Sequence, residues 1–464
     1  MNGVLELELQ LPAAGSREMR RRLHEQLRQA ILAGRLAPGV QLPASRALAD
    51  QLGLSRNTVM AVYDMLLGEG CLVARPGAGT FVAPAASRPA GGETIRAAPA
   101  VTHNLRPGRP DATRFPFDIW GRLTGRALRR YSRDPTVYRE PCGHPALREA
   151  IAGHLSFARA IACAPADVVV TVGAQQAFDL VIRALTPPER RVVVVEDPGY
   201  PAARAAFAAA GADVRAVPVD AEGLVVEALP PNAALICVTP SQFPTGVTLS
   251  PRRRQALLAF AAAHDAVIVE DDYGGEFRFD GPPLDTLRML DRDERVVYVG
   301  TFSQSLLPAL RIGFVVAPGR FRAALTEARA HSDWHGPAIE HATLADFIGE
   351  GHLARHVRRM RGVYAERRAV LLRALARDGA GLLDLVAPAS GLHLAARLAA
   401  GVDVAAVIAR AARSGVAVED LAAFTAGDAS APGLALGYGQ IEAGRIDEAV
   451  AILAEAIRAS TSRP

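Results

Sequence analysis

Along the first eighty positions, apolar residues recur at helical spacing. Further on they gather into short unbroken runs between polar turns. The pattern from about Arg20 to Ala33 predicts an amphipathic helix closed by Gly34, with Pro38 and Gly39 turning the chain. Ser45 is placed to cap a short second helix ending near Leu52, and Gly53 to make a tight turn. Ser55 then caps a third helix whose Val59, Val62, Leu66 and Leu67 share one face. The segment CLVARPGAGTFVA (71–83) predicts a two-stranded hairpin. At the start of the chain, MNGVLELELQLPAAGS alternates Leu with Glu or Gln, which predicts a short strand and not a secretory leader. Residues 83–114 are rich in Ala, Pro, Gly and Arg with little apolar periodicity, and predict a linker.

From residue 115 onward, strand-like runs alternate with helical stretches. The runs are DVVVTVG (167–173), RVVVVEDPGY (191–200), ALICVTP (234–240), AVIVEDDY (266–273), RVVYVGTFS (295–303) and IGFVVAP (312–318). Several are β-branched on both faces, as strands buried on both faces are. Such alternation implies an α/β fold with a mostly parallel central sheet, whose ligands sit at the carboxyl ends of the strands. After about Gly349 a long helical stretch leads to GLHLAARL and GLALGYG, predicting a smaller α+β subdomain. The expected boundaries are 1–82 for the head, 83–114 for the linker, and 115–348 and 349–464 for the two parts of the body.

Composition narrows the chemistry. Half the residues are hydrophobic and 22% are charged, ordinary for a globular chain of 464 residues. Without an apolar run long enough to span a bilayer, the expected compartment is the cytoplasm. Cys71, Cys142, Cys163 and Cys237 lie far apart, with neither CxxC pairing nor metal-ligand spacing. The net charge of +4 leans mildly towards polyanion partners. More decisively, the chain contains no lysine, so all 52 residues counted as Lys+Arg are arginine. No side-chain amine is available to form a Schiff base.

Two helices joined by a glycine turn, followed by a hairpin, form a helix-turn-helix with a wing. The third helix begins Ser55, Arg56, Asn57, Thr58. Arg forks onto guanine, Asn pairs with adenine, and Ser and Thr reach phosphates, and the N-terminal end of a recognition helix is where such groups meet double-stranded DNA. Arg75, Gly77 and Gly79 at the hairpin tip permit close approach to phosphate or the minor groove. The ordered set Leu42 and Pro43, Ser45 and Arg46, Leu48 and Ala49, Leu52 and Gly53, Ser55 and Arg56, Thr58 and Val59, then RPGAGTFV at 75–82, resembles the GntR family of winged-helix regulators. That resemblance implies DNA contacts by Arg46, Ser55, Arg56, Asn57, Thr58, Arg75, Gly77 and Gly79.

The rest of the chain resembles fold-type I aminotransferases, and with this head it resembles the MocR subgroup of GntR regulators. The resemblance implies a homodimer and a body that binds pyridoxal phosphate (PLP). Gly173, Ala174 and Gln175 follow a strand and open a helix, where backbone N–H groups receive phosphate. By resemblance, Tyr200 in EDPGYP stacks on the cofactor ring, Asp271 in EDDY pairs with its nitrogen, and Tyr273 lies near its hydroxyl. Thr301, Ser303 and Arg311 in GTFSQSLLPALR serve the phosphate end.

Three departures qualify this. Where the family reads GTFSK, this chain has Gln304, which forms no imine and moves no α-proton as an amine does. Residues 240–246, PSQFPTG, are one shorter than the family's usual PSHQ(F/Y)PTG. Gly274 and Gly275 follow EDDY where the family usually has Asp-Ser, and two glycines are expected to loosen that loop. Three readings of the pocket stand open. It holds PLP, pyridoxamine phosphate (PMP) or an amino-acid or amine adduct non-covalently; it takes a different anionic small molecule; or the body is a dimerisation scaffold. An active PLP-dependent transaminase, the rival from another class, lacks its nucleophile.

Overall fold

The computed structural model describes residues 7, 9–12, 16, 18–84, 101–133, 135, 138, 140–281, 285–386, 390–427 and 432–461. Two compact units divide the chain, Met1–Ala98 and Pro99–Pro464.

In the first unit, helices α1 (Met19–Leu32), α2 (Ser45–Leu52) and α3 (Arg56–Gly68) enclose Leu23, Leu27, Ile31, Leu48, Val59, Val62 and Leu66. Each such aliphatic side chain contributes about 1.5–3 kcal/mol on full burial. Strands β1 (Leu72–Arg75) and β2 (Gly79–Val82) pair antiparallel. The segment before α2 adds to the wing: Leu42 N donates to Thr80 O at 2.8 Å and Val82 N to Val40 O at 2.9 Å. Gly53 closes α2 in the left-handed region (φ 65°). Ser55 caps α3, its hydroxyl accepting from Thr58 N at 3.1 Å. The cap assigned to Ser45 is corrected, because Ala44 occupies the cap position and Ser45 is the first helical residue, with no capping bond. Ser45 Oγ instead receives Arg56 Nε at 3.5 Å. Of the expected N-terminal strand, residues 1–6, 8 and 13–15 lie outside the described residues. Leu7, Leu9 and Leu11 pack on the helical core without forming a strand.

In the second unit, β3 (His103–Asn104) precedes the helices α4 (Phe117–Tyr131) and α5 (Pro145–Arg159). The main sheet collects β4 (Val168–Thr171), β5 (Val192–Asp197), β6 (Asp213–Asp220), β7 (Gly223–Leu224), β8 (Leu235–Val238), β9 (Val267–Asp272), β10 (Val296–Thr301) and β11 (Gly313–Val316), in the order β4-β11-β10-β9-β8-β5-β6-β7. Neighbours from β10 through β6 are parallel, while β11 runs antiparallel to both β4 and β10. The valine-rich strands alternate faces. Val193, Val269, Val297 and Val315 pack under α6 (Ala174–Leu185) and α7 (Pro201–Ala209). Val194, Ile236 and Ile268 pack under α8 (Pro251–Ala263) on the opposite face. After α9 (Leu287–Leu290), α10 (Arg322–Asp333) and α11 (Ala338–Gly349), the 27-residue α12 (His352–Asp378) leads into the smaller subdomain. There β12 (Leu383–Val386), β13 (His393–Leu398), β15 (Glu419–Asp420) and β16 (Gly433–Gly437) form an antiparallel sheet. Helices α13 (Val404–Arg413) and α14 (Ile446–Arg458) complete it, and β14 (Val416–Ala417) pairs with β3.

That last pairing corrects the linker boundary. Residues 101–114 are built into the body: His103 N donates to Gly415 O, Leu105 N to Ala417 O, and Leu105 is fully buried. Asp111 is buried against Arg367, with Nη2 to Oδ2 at 2.7 Å. Proline, glycine and arginine made this strap look like linker because its partners lie hundreds of residues away.

Candidate functional site

On the head, Arg46, Ser55, Arg56 and Asn57 are exposed, with Thr58 half-buried beside them. Tyr63, from inside α3, donates to Pro43 O at 2.8 Å and so fixes the turn leading into α2. In the wing, Arg75 lies over the Phe81 ring at 4.8 Å from its centroid. Gly77 and Gly79 turn the tip at φ 74° and 111°, and Gln41 Nε2 donates to Ala78 O at 2.7 Å beneath it. Arg46, Arg56 and Arg75 form no ion pair among the described residues; Arg56 keeps a long bond to Ser45 and Arg75 stacks on Phe81.

In the body, the carboxyl ends of the parallel strands bring most of the expected pocket residues together. Gly173 takes φ 80°, ψ 178° at the start of α6. A side chain there would sit 2.7 Å from Arg311 Nη2, so glycine allows both the turn and the arginine's approach. Ala174 and Gln175 form the first turn of α6, and Gln175 Nε2 is spent on Ala202 O at 2.8 Å. Arg311 itself is left-handed (φ 50°, ψ 48°) and donates to Val172 O at 3.0 Å. A non-glycine residue in that conformation costs about 1 kcal/mol or more, which the surrounding fold must offset. Thr301 Oγ1 donates to Ser303 Oγ at 2.9 Å and accepts from Ser303 N at 3.1 Å.

Asp271, the last residue but one of β9, is buried, and its Oδ1 has no hydrogen-bond partner. Burial, and secondarily the neighbouring Asp272, push its carboxyl up to about 7. The Tyr200 phenol is pushed up by burial and by Asp271 while Arg311 opposes, which places Tyr200 within the field of both. Tyr200 stays 45% exposed, with its ring edge-on to Phe243 at 6.2 Å. Tyr273 OH is buried without a partner, and burial raises it well above the ordinary phenol range.

Gln304 stands apart from these unpaired groups, because its Nε2 donates to Gly108 O of the strap at 3.0 Å. The loosening expected at Gly274 and Gly275 is also corrected. Gly275 N donates to Asp272 Oδ1 at 3.0 Å, and Asp272 is further held by Arg159 (2.6 Å) and Tyr298 (2.7 Å). A Cβ on Gly275 would stand 2.1 Å from Arg159 Nη2, so glycine there admits a buried ion pair and the loop is tied.

Sequence reasoning did not single out Glu196, Ser241 or Arg278. Glu196 is buried in β5, receives Thr239 Oγ1 at 2.8 Å, and is pushed up to about 8 by burial first and in lesser part by Asp271. A carboxylate following four valines in one strand was its signal. The hydroxyl of Ser241 and two nitrogens of Arg278 are buried without partners. No group of three or more His, Cys, Asp or Glu side chains among the described residues is placed to hold a metal ion, and no helix there is long and apolar enough to cross a membrane.

Residues 19–82 match the gntR family of bacterial regulatory proteins, and residues 125–457 match aminotransferase class I and II. The chain is 39% identical to the probable rhizopine catabolism regulatory protein MocR of Rhizobium meliloti over 82% of this chain and 81% of that one. It is 37% identical to the pyridoxine biosynthesis transcriptional regulator PdxR of Corynebacterium glutamicum over 75% and 77%. The body overlays kynurenine aminotransferase of Pyrococcus horikoshii with a TM-score of 0.72 at 29% identity, covering 79% of this chain and 93% of that one. A DNA-binding head of one family fused to an aminotransferase-like body of another is the architecture of the MocR-type GntR transcriptional regulators, and this chain belongs to them.

Proposed function

We propose that the body of this regulator is a catalytically silent sensor that binds PLP or PMP reversibly. The observation that carries this reading is Asp271, a buried carboxylate with an unpaired oxygen at the strand ends. Leaving such a group without a partner costs several kcal/mol, which a pure scaffold would have no reason to retain. A ring nitrogen carrying a proton supplies the missing partner. The kynurenine aminotransferase that the body overlays was itself solved with PMP. When bound, such a cofactor supplies an electron sink for amino-acid chemistry. Here Tyr200 offers its ring as a stacking face, and the N-terminus of α6 with Arg311 and Ser303 offers donors for the phosphate. Gln304 contributes no amine, so binding is non-covalent and turnover does not follow.

Two heads on a homodimer read paired half-sites. Occupancy of the pocket shifts the body between conformations, and the strap at 101–111 carries that shift towards the linker. The protein acts in the cytoplasm. The test is a titration of the full-length protein with PMP and with PLP, followed by tryptophan fluorescence and borohydride treatment. Saturable binding without a trapped adduct is expected; no binding of either overturns the vitamer reading.

A further inference from the structure

Met60 is 41% exposed on α3, an apolar side chain standing in solvent beside the residues expected to meet DNA. It lies four residues beyond Arg56 and three beyond Asn57. At about 100° per residue its direction falls between theirs, one turn deeper along the helix. The other face of α3, with Val59, Val62, Tyr63 and Leu66, is buried in the core of the head.

The polar groups around it are unequally free. Ser55 Oγ and Thr58 Oγ1 lie 2.8 Å apart, and Ser55 Oγ also accepts from Thr58 N, so the cap occupies both hydroxyls. Arg56 makes the long bond to Ser45 at 3.5 Å, and Asn57 is exposed. Arg56, Asn57 and Met60 are therefore the side chains of α3 best placed to extend into a major groove. A thioether neither forks onto guanine nor holds a phosphate; it is a flexible, polarisable apolar group. The apolar feature of the major groove is the C5-methyl of thymine. At about 1.5 Å of rise per residue, Met60 stands about 6 Å along the helix from Arg56. Base pairs are about 3.4 Å apart, so Met60 meets a pair one or two steps away. Asp64, one turn further on the same side, is exposed, and phosphates repel its carboxylate. The helix thus enters the groove by its N-terminal turns, and Met60 is the last side chain to reach the bases.

We propose that Met60 is a specificity-determining residue of the head, packing on the C5-methyl of a thymine one or two base pairs from the pair read by Arg56. The contact takes two apolar groups out of water, both of them solvated in the free partners. Cytosine at that position lacks the methyl and presents an amine, and purines present N7 acceptors for which a thioether has no donor. Met65 is the internal comparison. It is 42% exposed, but nine residues beyond Arg56 it lies about half a turn around the helix, on the side away from the bases. The assignment rests on DNA binding by the head and is independent of vitamer binding by the body.

The test uses the full chain. In vitro selection from random duplexes supplies an operator. Each of its thymidines is then replaced in turn by deoxyuridine, which keeps the base pairing and removes only the methyl, and fluorescence anisotropy reads the affinity. Wild type is expected to lose about three- to tenfold at one thymine of each half-site. Met60→Ala should bind the intact operator more weakly by a similar factor and be indifferent to deoxyuridine at that thymine. Met60→Leu should keep the discrimination, and Met65→Ala the whole wild-type profile. A folding defect in Met60→Ala would weaken intact and substituted duplexes alike and so leave the discrimination in place. Met60→Gln, of equal length but polar, is the second variant and should lose the discrimination as well. A wild-type profile in both Met60→Ala and Met60→Gln, or a wild type that no deoxyuridine weakens, overturns the proposal while leaving DNA binding intact. A selection that enriches no sequence overturns the DNA reading of the head, and this assignment with it.

Discussion

Replacing Asp271 by Asn should stabilise the unliganded protein at neutral pH and abolish PMP binding. Asp271 is buried with an unpaired oxygen, and its carboxyl is raised from 3.8 to about 7, by burial first and Asp272 second. In the unfolded chain the group titrates near its ordinary value. Below about pH 4 both states are protonated, and the group costs nothing. Between about pH 4 and 7 the unfolded chain ionises while the native state holds its proton, so stability falls as pH rises. Above about pH 7 the loss is complete and constant. A rise of about three units corresponds to an upper bound of about 4 kcal/mol. Structural relaxation and the new buried amide reduce this, and about 2 kcal/mol is a realistic recovery. For a body of this size, that raises the melting midpoint by about 3 °C. Calorimetry of wild type and Asp271→Asn, both free of ligand, should show curves that converge near pH 4 and separate up to about pH 7. Glu196 contributes a similar slope in both proteins; its larger part, from burial, cancels in the difference, and the smaller part owed to the Asp271 charge is lost with it in the variant. Parallel curves across the range would refute the argument, because the carboxyl would then not be bearing an unrelieved burial penalty. In the presence of PMP the order should reverse, with ligand stabilising wild type and leaving the variant unchanged.

Other substitutions probe the remaining sites. Arg56→Ala, at the start of the recognition helix, should weaken operator binding by about ten- to a hundredfold in a gel shift while leaving nonspecific binding largely intact. Arg75→Ala in the wing should weaken binding to all sequences alike and flatten its salt dependence, measured by fluorescence anisotropy. Gly275→Ala drives a methyl into Arg159 and Asp272. It should lower body stability by about 3 kcal/mol, as breaking a buried ion pair does, and calorimetry reads the loss. Arg367→Leu removes the buried cation from the Asp111 carboxylate, leaving it only Thr113 and the half-exposed Arg114. A loss of about 3–5 kcal/mol is expected, with limited proteolysis newly cutting within 101–111.

Elements whose stability is local were legible. The runs at 168–171, 192–197, 235–238, 267–272, 296–301 and 313–316 are apolar because both sheet faces are covered, and each is a strand. Asp213–Asp220 was not read as one. It lies near the sheet edge with mostly exposed or half-buried positions, and DVRAVPVD offers no apolar run. The strap at 101–114 was read as linker because its order is held by partners such as Gly415, Gly437 and Arg367, which no local pattern shows. The head motif was legible residue by residue, since a recognition helix keeps its first contact groups within four consecutive positions.

The lysine-free composition changes what a pocket of this ancestry can do. A covalent anchor holds its cofactor independently of supply, whereas a reversible site is filled in proportion to free ligand. Gln304 spends its amide on the strap carbonyl of Gly108. The position that would otherwise grip a ligand thus grips the segment leading towards the DNA-binding head. A ligand that displaces or tightens this contact biases the strap only by its differential affinity for the two strap positions. Shifting a two-state equilibrium from 1:99 to 99:1 requires about 5.5 kcal/mol of such difference. One amide hydrogen bond, worth about 1 kcal/mol, falls far short of that. On the reading proposed above, full switching therefore has to draw on Asp271 as well, the buried carboxylate of this pocket with an oxygen that has no hydrogen-bond partner.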